Sequence, residues 1–93
     1  MIPAQGQGYL ADLADLHLEV QWSDDRWHYR IIRPTGNHVL TNWTAPAEPG
    51  VYQEPENTKF HAVSDALANL KRESEDVHAV FNALTWRPYG PGH

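Results

Sequence analysis

Cysteine is absent from this chain of 93 residues. Its absence excludes disulfides, thiolate nucleophiles and cysteine-ligated zinc sites, and it is typical of cytosolic proteins. The sequence also lacks an apolar run near the roughly 20 residues that a membrane-spanning helix needs, and it begins without a basic and apolar leader. We therefore expect a soluble, cytoplasmic protein with no membrane partner.

Basic residues are scarce. Seven lysines and arginines stand against 12 aspartates and glutamates, which gives a formal net charge of −5. Such a chain has no positive patch for the phosphates of nucleic acids or for an anionic lipid surface. We therefore do not expect nucleic acid as the partner, and a nucleic-acid-associated regulator is only an alternative function.

Catalytic motifs are also missing. The sequence has no nucleophile-elbow motif, no glycine-rich phosphate loop and no H-x-x-x-H or H-E-x-x-H spacing. It therefore predicts a protein that is not an enzyme and uses no cofactor or metal. A less favoured alternative is a small enzyme built from Glu19, His28, Arg30 and Asn42 on a strand face, but flat faces rarely exclude water.

Hydrophobic residues make up 41% of the chain and aromatic residues 11%. This is enough for one compact core, so we expect a single domain over residues 1–93. Glycine and proline near the ends predict flexible tails at 1–8 and 88–93. Three prolines and little periodicity predict a long irregular loop over 44–57.

Two strands are predicted where apolar and polar residues alternate, over 16–22 and from Trp27 to Ile31. A two-residue loop at Asp24-Asp25 joins them and keeps the two faces distinct. The register that follows pairs these residues: Trp22 with Trp27, Val20 with Tyr29, Leu18 with Ile31, and Glu19 with Arg30.

A third strand follows the turn at 33–37, where Gly36 suits the left-handed position of a three-residue loop. This predicts a three-stranded antiparallel meander with these further pairs: Ile31 with Val39, Tyr29 with Thr41, and Trp27 with Trp43. Three tryptophans then form one row on the inner face, and three histidines project from the outer face: His17, His28 and His38. The histidines are too far apart to share a zinc ion.

A heptad-like stripe follows the loop: Phe60, Val63, Leu67, Leu70, Ser74, Val77, Phe81 and Leu84. It predicts one long helix over about 58–84, or two nearly collinear helices broken near Ser74. The spacing of Leu10, Leu13 and Leu16 also favours a possible short N-terminal helix over Gly8–Asp15. The predicted fold class is α+β, with the meander packed by one long C-terminal helix.

The predicted helix is longer than the sheet that it covers. Twenty-seven helical residues span about 40 Å, whereas three strands are roughly 15 Å wide. The part beyond the sheet carries four apolar residues: Val77, Val80, Phe81 and Leu84. This part either folds back or pairs with a second subunit, and we expect a homodimer.

The order Y-R-I, a glycine turn, V-L-T-N-W and then F-H-A-V-S-D-A-L-A-N-L covers residues 29–43 and 60–71. This order resembles the small YegP-like domains of unknown function. The resemblance implies strands that precede a helix, and it carries over no functional residue. The 44–57 segment and the longer helix depart from that family's pattern.

Five residues are candidates for contact with a partner protein: Val51, Tyr52, His28, Arg30 and Tyr89. Tyrosine and arginine are enriched at interface hot spots. The alternatives are that Val51 and Tyr52 anchor the loop to the domain and that the outer face is simply solvated. The sequence predicts a small non-catalytic protein-interaction module, which regulates or inhibits another protein by binding it.

Overall fold

The computed structural model describes residues 3–46 and 54–91. Their elements follow in this order: β1 (Gly8–Leu13), β2 (Leu16–Ser23), β3 (Arg26–Arg33), β4 (His38–Thr44), α1 (Glu56–Asn69), α2 (Val77–Ala83) and β5 (Arg87–Tyr89). The strands form one antiparallel sheet in the order β4-β3-β2-β1-β5. The α+β class with an antiparallel sheet is confirmed, whereas the prediction of three strands is wrong, because β1 and β5 extend the sheet.

The hairpin of β2 and β3 has the predicted register. Trp22 lies opposite Trp27, and Glu19 lies opposite Arg30. Asp24 and Asp25 adopt φ angles of 53° and 65°, as a two-residue type I′ turn requires. The alternation of buried and half-buried residues along both strands shows that the polarity pattern determined this register.

The N-terminal segment is a strand, and the prediction of a short helix there is wrong. The leucine spacing that suggested a helix spans a turn, since Leu13 pairs with Leu16 around a two-residue loop. Ala14 in that loop has a φ of 56°. As a strand, the segment buries Ala11 and Leu13 and covers the edge of β2, which would otherwise expose unpaired backbone groups.

The pairing of β4 differs from the predicted register. Ile31 lies opposite Thr41 and Tyr29 opposite Thr44, with register irregularities on both sides of Ile31. At each irregularity, β4 has one more residue than β3 between the same two pairs. Two extra residues therefore lie in β4.

The turn before β4 is also one residue longer than predicted, since Arg33 lies opposite His38, so the pairing has shifted by three residues in total at Trp43. An odd shift exchanges the two faces of a strand. The prediction that Trp43 joins the inner row is therefore wrong, and Trp43 lies on the outer face beside Arg30.

The helix α1 covers the inner face of the sheet, where it contacts β2 and β3. The apolar side chains of this layer have almost no solvent exposure, and those below 2% include Leu16, Leu18, Val20, Ile31, Val63 and Leu67. Burial of this layer supplies the main driving force for folding, at roughly 25 cal/mol per Å² of apolar surface.

The long C-terminal helix is broken, so the prediction of one continuous helix is wrong. Helix α1 ends at Asn69, Lys71 adopts a φ of 61°, and Asp76 caps α2 by accepting a hydrogen bond from His78 N. The break includes Ser74, the polar residue in the predicted stripe. Beyond it α2 packs back on α1, with the Phe60 and Phe81 rings 6.4 Å apart.

Segments near both chain ends pair with the sheet. Gly6 N donates a hydrogen bond to Trp22 O, and Trp22 N donates one to Gln7 O. Arg87–Tyr89, partly within the segment predicted as a flexible tail, form β5 alongside β1. Among residues 3–46 and 54–91, no helix has the length and apolar character needed to cross a membrane.

One carboxylate joins α1 to the sheet. Asp65 Oδ2 accepts hydrogen bonds from the Tyr29 hydroxyl at 3.1 Å and from Thr41 Oγ1 at 2.7 Å. Burial, followed by the neighbouring Asp65 charge, raises the pKa of Tyr29 to about 12. The neutral phenol is therefore favoured in the folded protein, where it donates to the carboxylate.

This raised pKa predicts a loss of stability at alkaline pH. The unfolded chain ionises Tyr29 near pH 10.0, whereas the folded chain keeps the proton until about pH 12. The contribution is complete below pH 10 and falls as the pH rises towards 12. Between pH 10 and pH 12, we expect the free energy of unfolding, measured by urea denaturation, to fall by on the order of 1–2 kcal/mol more in the wild type than in Tyr29→Phe. If the free energy of unfolding changes with pH in the same way in both proteins, the raised pKa of Tyr29 is contradicted.

Candidate functional site

The sheet face opposite α1 is called the outer face here, and no described helix covers it. Cross-strand register places its residues in three rows: Asp12, His17, Ile32 and Val39; Arg87, Leu10, Glu19 and Arg30; and Tyr89, Gly8, Gln21 and His28. Trp43 of β4 lies beside the middle row. Most of these side chains are half-buried, so they shield one another while remaining accessible.

Arg30 is held at the centre of the outer face. Its Nη2 atom lies 2.8 Å from Glu19 Oε1, and its Cζ atom lies 4.7 Å from the centroid of the Trp43 ring. The predicted cross-strand pair of Glu19 and Arg30 is thus present. Cation–π contact and a charge-assisted hydrogen bond restrict the guanidinium group.

The β1 side of the outer face carries a chain of hydrogen-bonded polar and charged side chains. Asp12 lies 3.0 Å from His17 Nδ1 and 3.3 Å from Arg87 Nη2. The Asp12 side chain is 60% exposed, so these pairs contribute little to stability. They do balance the charge locally, so this side of the face is polar without a strong field of one sign.

Tyr89 lies flat against the outer face instead of projecting away from it. A Cβ atom added at Gly8 would lie 2.7 Å from the Tyr89 ring, so only glycine permits this contact. The Tyr89 hydroxyl is buried beside Gln21 without a well-formed hydrogen bond. Burial, followed by the nearby Glu19 charge, raises the pKa of Tyr89 to about 12.

A small cleft opens where β4 meets the turn between β2 and β3. It has a volume of about 220 Å³. Five residues line it: Gln21, Ser23, Asp24, His28 and Trp43. His28 Nδ1 is buried and has no hydrogen-bond partner among the described residues. This cleft is the concave feature of the outer face that combines an aromatic ring with several polar side chains.

The structure brings together three of the five predicted partner-binding residues. His28, Arg30 and Tyr89 share the outer face, whereas Val51 and Tyr52 lie outside the described residues. Sequence reasoning missed Trp43, because the longer turn and the irregular pairing of β4 together move it from one face to the other. No local sequence signal marks that irregularity.

The alternative group of catalytic residues is only partly assembled. Glu19, His28 and Arg30 share the outer face, whereas Asn42 is exposed and its Oδ1 atom accepts a hydrogen bond from Trp43 N within β4. In the part of the chain that the structure describes, no group of three or more histidines and carboxylates is placed to hold a metal ion.

A buried lysine was also missed by sequence reasoning. Lys59 is 7% exposed, and its Nζ atom lies 4.0 Å from the Tyr9 ring centroid and 5.4 Å from that of Trp86. Burial lowers the pKa of Lys59, and the nearby Glu56 carboxylate partly opposes this shift. The two aromatic rings hold the cation between α1 and the β1–β5 edge, which indicates a structural role.

Comparisons with protein-family models, with curated proteins and with solved structures gave no match. The resemblance to YegP-like domains therefore stays a prediction.

Proposed function

We propose that this protein is a small non-catalytic module that binds another protein through the outer face of its sheet. Arg30 and Trp43 form the centre of the contact, and the partner carries a net positive charge. Binding then regulates or inhibits the partner by covering part of its surface. The observation that carries this proposal is the Arg30 side chain, held between Glu19 and Trp43.

The residue types at this centre support protein binding. Tryptophan, tyrosine and arginine dominate interface hot spots, since each offers a large contact area together with a polar group. The Arg30 side chain is 31% exposed, so it remains accessible. Because two neighbours already restrict it, binding costs less side-chain entropy than for a free surface arginine.

The sheet edges are less suited to a partner than the face. Strand β4 carries two irregularities, and β5 has only three residues, one of them Pro88. Bulges, short strands and proline all discourage the addition of a further strand. Strand addition is therefore disfavoured, and the outer face is the better surface for a partner.

The charge of the partner follows from the charge of this chain. A formal net charge of −5 attracts basic proteins over a distance of about one Debye length and repels acidic ones. Association with a basic partner should therefore be faster at low salt than at high salt. The local ion pairs on the outer face favour a matched polar contact over a purely apolar one.

Site-specific photo-crosslinking tests the proposal. Benzoylphenylalanine in place of Ile32 on the outer face should cross-link a basic protein in extracts of the source cells, whereas the same group in place of the exposed Ala68 on α1 should not. With the captured partner purified, Arg30→Ala should weaken binding at least about tenfold in calorimetry.

Arg72→Ala is the matched control, because it removes a similar arginine–glutamate pair, with Glu75, away from the sheet. It should leave the affinity unchanged. Cross-links formed mainly from Ala68, an acidic partner, or equal affinities for the Arg30 and Arg72 variants would each contradict the proposal.

A homodimer through Val77, Val80, Phe81 and Leu84 is a separate proposal. These side chains are half-buried, and α2 packs against α1 of the same chain, which leaves less apolar surface for a second copy. Light scattering at micromolar concentration tests it directly, and a mass of only 10.6 kDa would contradict it.

A further inference from the structure

The cleft beside Trp43 has a chemistry distinct from that of the Arg30 centre. Its lining offers one indole ring, one amide, one hydroxyl, one carboxylate and one imidazole. The amide, the hydroxyl and the imidazole can both donate and accept hydrogen bonds, and the carboxylate accepts them. All four groups lie within a small volume. Such a set is suited to a ligand with many hydroxyl groups, each of which can donate and accept.

His28 has an unmet hydrogen bond. It lines the cleft, and its Nδ1 atom is buried without a partner among the described residues. A buried polar atom without a partner costs free energy, and a ligand hydroxyl recovers this cost once the imidazole turns its Nδ1 atom towards the cleft. The hydroxyl can serve as donor or as acceptor, so either tautomer of His28 can be satisfied.

The charges around the cleft favour a neutral ligand. Asp24 lines the cleft and Asp25 follows it in the turn, while Arg26 lies opposite Ser23 in the hairpin. Arg30, next along the outer face, is neutralised by Glu19 at 2.8 Å. Asp24, Asp25 and Arg26 together leave one excess negative charge, which disfavours an anion. Because Asp24 and Asp25 are exposed to solvent, this charge attracts a cation only weakly.

The volume of the cleft suits a ligand with a single ring. Pockets for drug-sized ligands enclose roughly 300–1,000 Å³, whereas this cleft has about 220 Å³. The negative face of an indole attracts the polarised C–H groups on the apolar side of a sugar ring. The hydroxyls at the rim of that ring would then face Gln21, Asp24 and His28.

We propose that this cleft is a binding site for a neutral sugar ring, with Trp43 as the stacking platform and Gln21, Asp24 and His28 as hydrogen-bonding partners. The site goes beyond the proposed protein-binding function and does not depend on it. A sugar ring attached to a larger molecule and a free monosaccharide share this chemistry. Methyl glycosides and free sugars therefore serve as parallel probes.

Chemical-shift titration of the isotope-labelled protein tests the site. The probes are methyl glucoside, methyl galactoside, glucose and N-acetylglucosamine, with inorganic phosphate and methylguanidinium as charged comparisons. At least one sugar should shift the Trp43 indole and His28 signals with saturation in the millimolar range, typical of a weak contact with one ring. The charged probes should have no such effect.

Trp43→Ala should weaken the sugar's binding at least about tenfold, in line with the loss of a buried aromatic anchor. Val39→Ala is the matched control, because Val39 lies on the same strand, is 54% exposed and does not line the cleft. It should bind as the wild type does. Should Trp43→Ala fail to fold, Gln21→Ala, which removes one polar wall, must show the weakening.

Two results would overturn the proposal. One is that no sugar shifts these signals, or that sugar shifts persist unchanged in both cleft variants. The other is saturable binding of methylguanidinium alone, which would show that the cleft accepts a basic side chain instead. Neither result would alter the Arg30 and Arg72 comparison, so failure of the sugar site is distinguishable from failure of the protein-binding proposal.

Discussion

Trp27→Ala is expected to lower the free energy of unfolding by about 3–5 kcal/mol, the usual cost of removing a large aromatic side chain from a core. Trp27 is 2% exposed and packs edge to face on Trp22, with ring centroids 5.5 Å apart. A chain of this length has a total stability of only about 5–14 kcal/mol. The loss is about a fifth or more of that stability, so the variant should unfold at a clearly lower urea concentration than the wild type, as circular dichroism during urea denaturation would show.

Trp43→Ala is the matched comparison for this prediction. Trp43 is half-buried on the outer face, and its described ring contact is with Arg30. Removal of this side chain should cost about 1 kcal/mol or less, as for most exposed or partly exposed positions. Equal losses of stability in the two variants would contradict the assignment of these tryptophans to opposite faces.

Asp65→Ala should cost about 2–4 kcal/mol, because it leaves two hydroxyl groups without their acceptor. Tyr29 and Thr41 each donate to the same carboxylate oxygen, and a hydrogen bond to a charged group contributes about 1.5–3 kcal/mol. The two losses share one acceptor, so they should not add fully. Urea denaturation at neutral pH measures the effect.

Asp65→Asn is the matched control, because it keeps an amide oxygen that accepts a hydrogen bond. It should cost about 1 kcal/mol, the difference between a charged and a neutral acceptor. In the background of Thr41→Val, the cost of Asp65→Ala should become smaller, since one donor is already gone. An unchanged cost in that background would show that Thr41 and Asp65 do not interact.

Some interactions of the candidate site were accessible from the sequence. Glu19 and Arg30 were predicted as a cross-strand pair, and the structure places them 2.8 Å apart. Alternating polarity and a two-residue turn constrain a hairpin so strongly that a shift by one residue would exchange its faces. For the same reason, His28 was correctly expected on the outer face.

Other parts of the site were not accessible, for physical reasons. An odd number of extra residues, here one in the turn and two in β4, leaves composition and period nearly unchanged, yet it moves the following side chains to the other face. Trp43 therefore appeared to belong to the core. The cleft depends on that move, since Trp43 forms one of its walls.

The sequence by itself determined the α+β class and the β2–β3 hairpin, because local turns and periodicity suffice for both. It marked the polar segment around Ser74 as the place for a break in the C-terminal helix but left open whether the helix breaks. Only the tertiary structure decided that residues 8–13 form a strand, that α2 folds back on α1, and that Trp43 faces outward. Each of these three features depends on packing against a surface that is built by residues distant in the chain. Local sequence patterns do not show which surface that is. The stretch 22–43 thus places Trp22 and Trp27 in the core and Trp43 on the outer face.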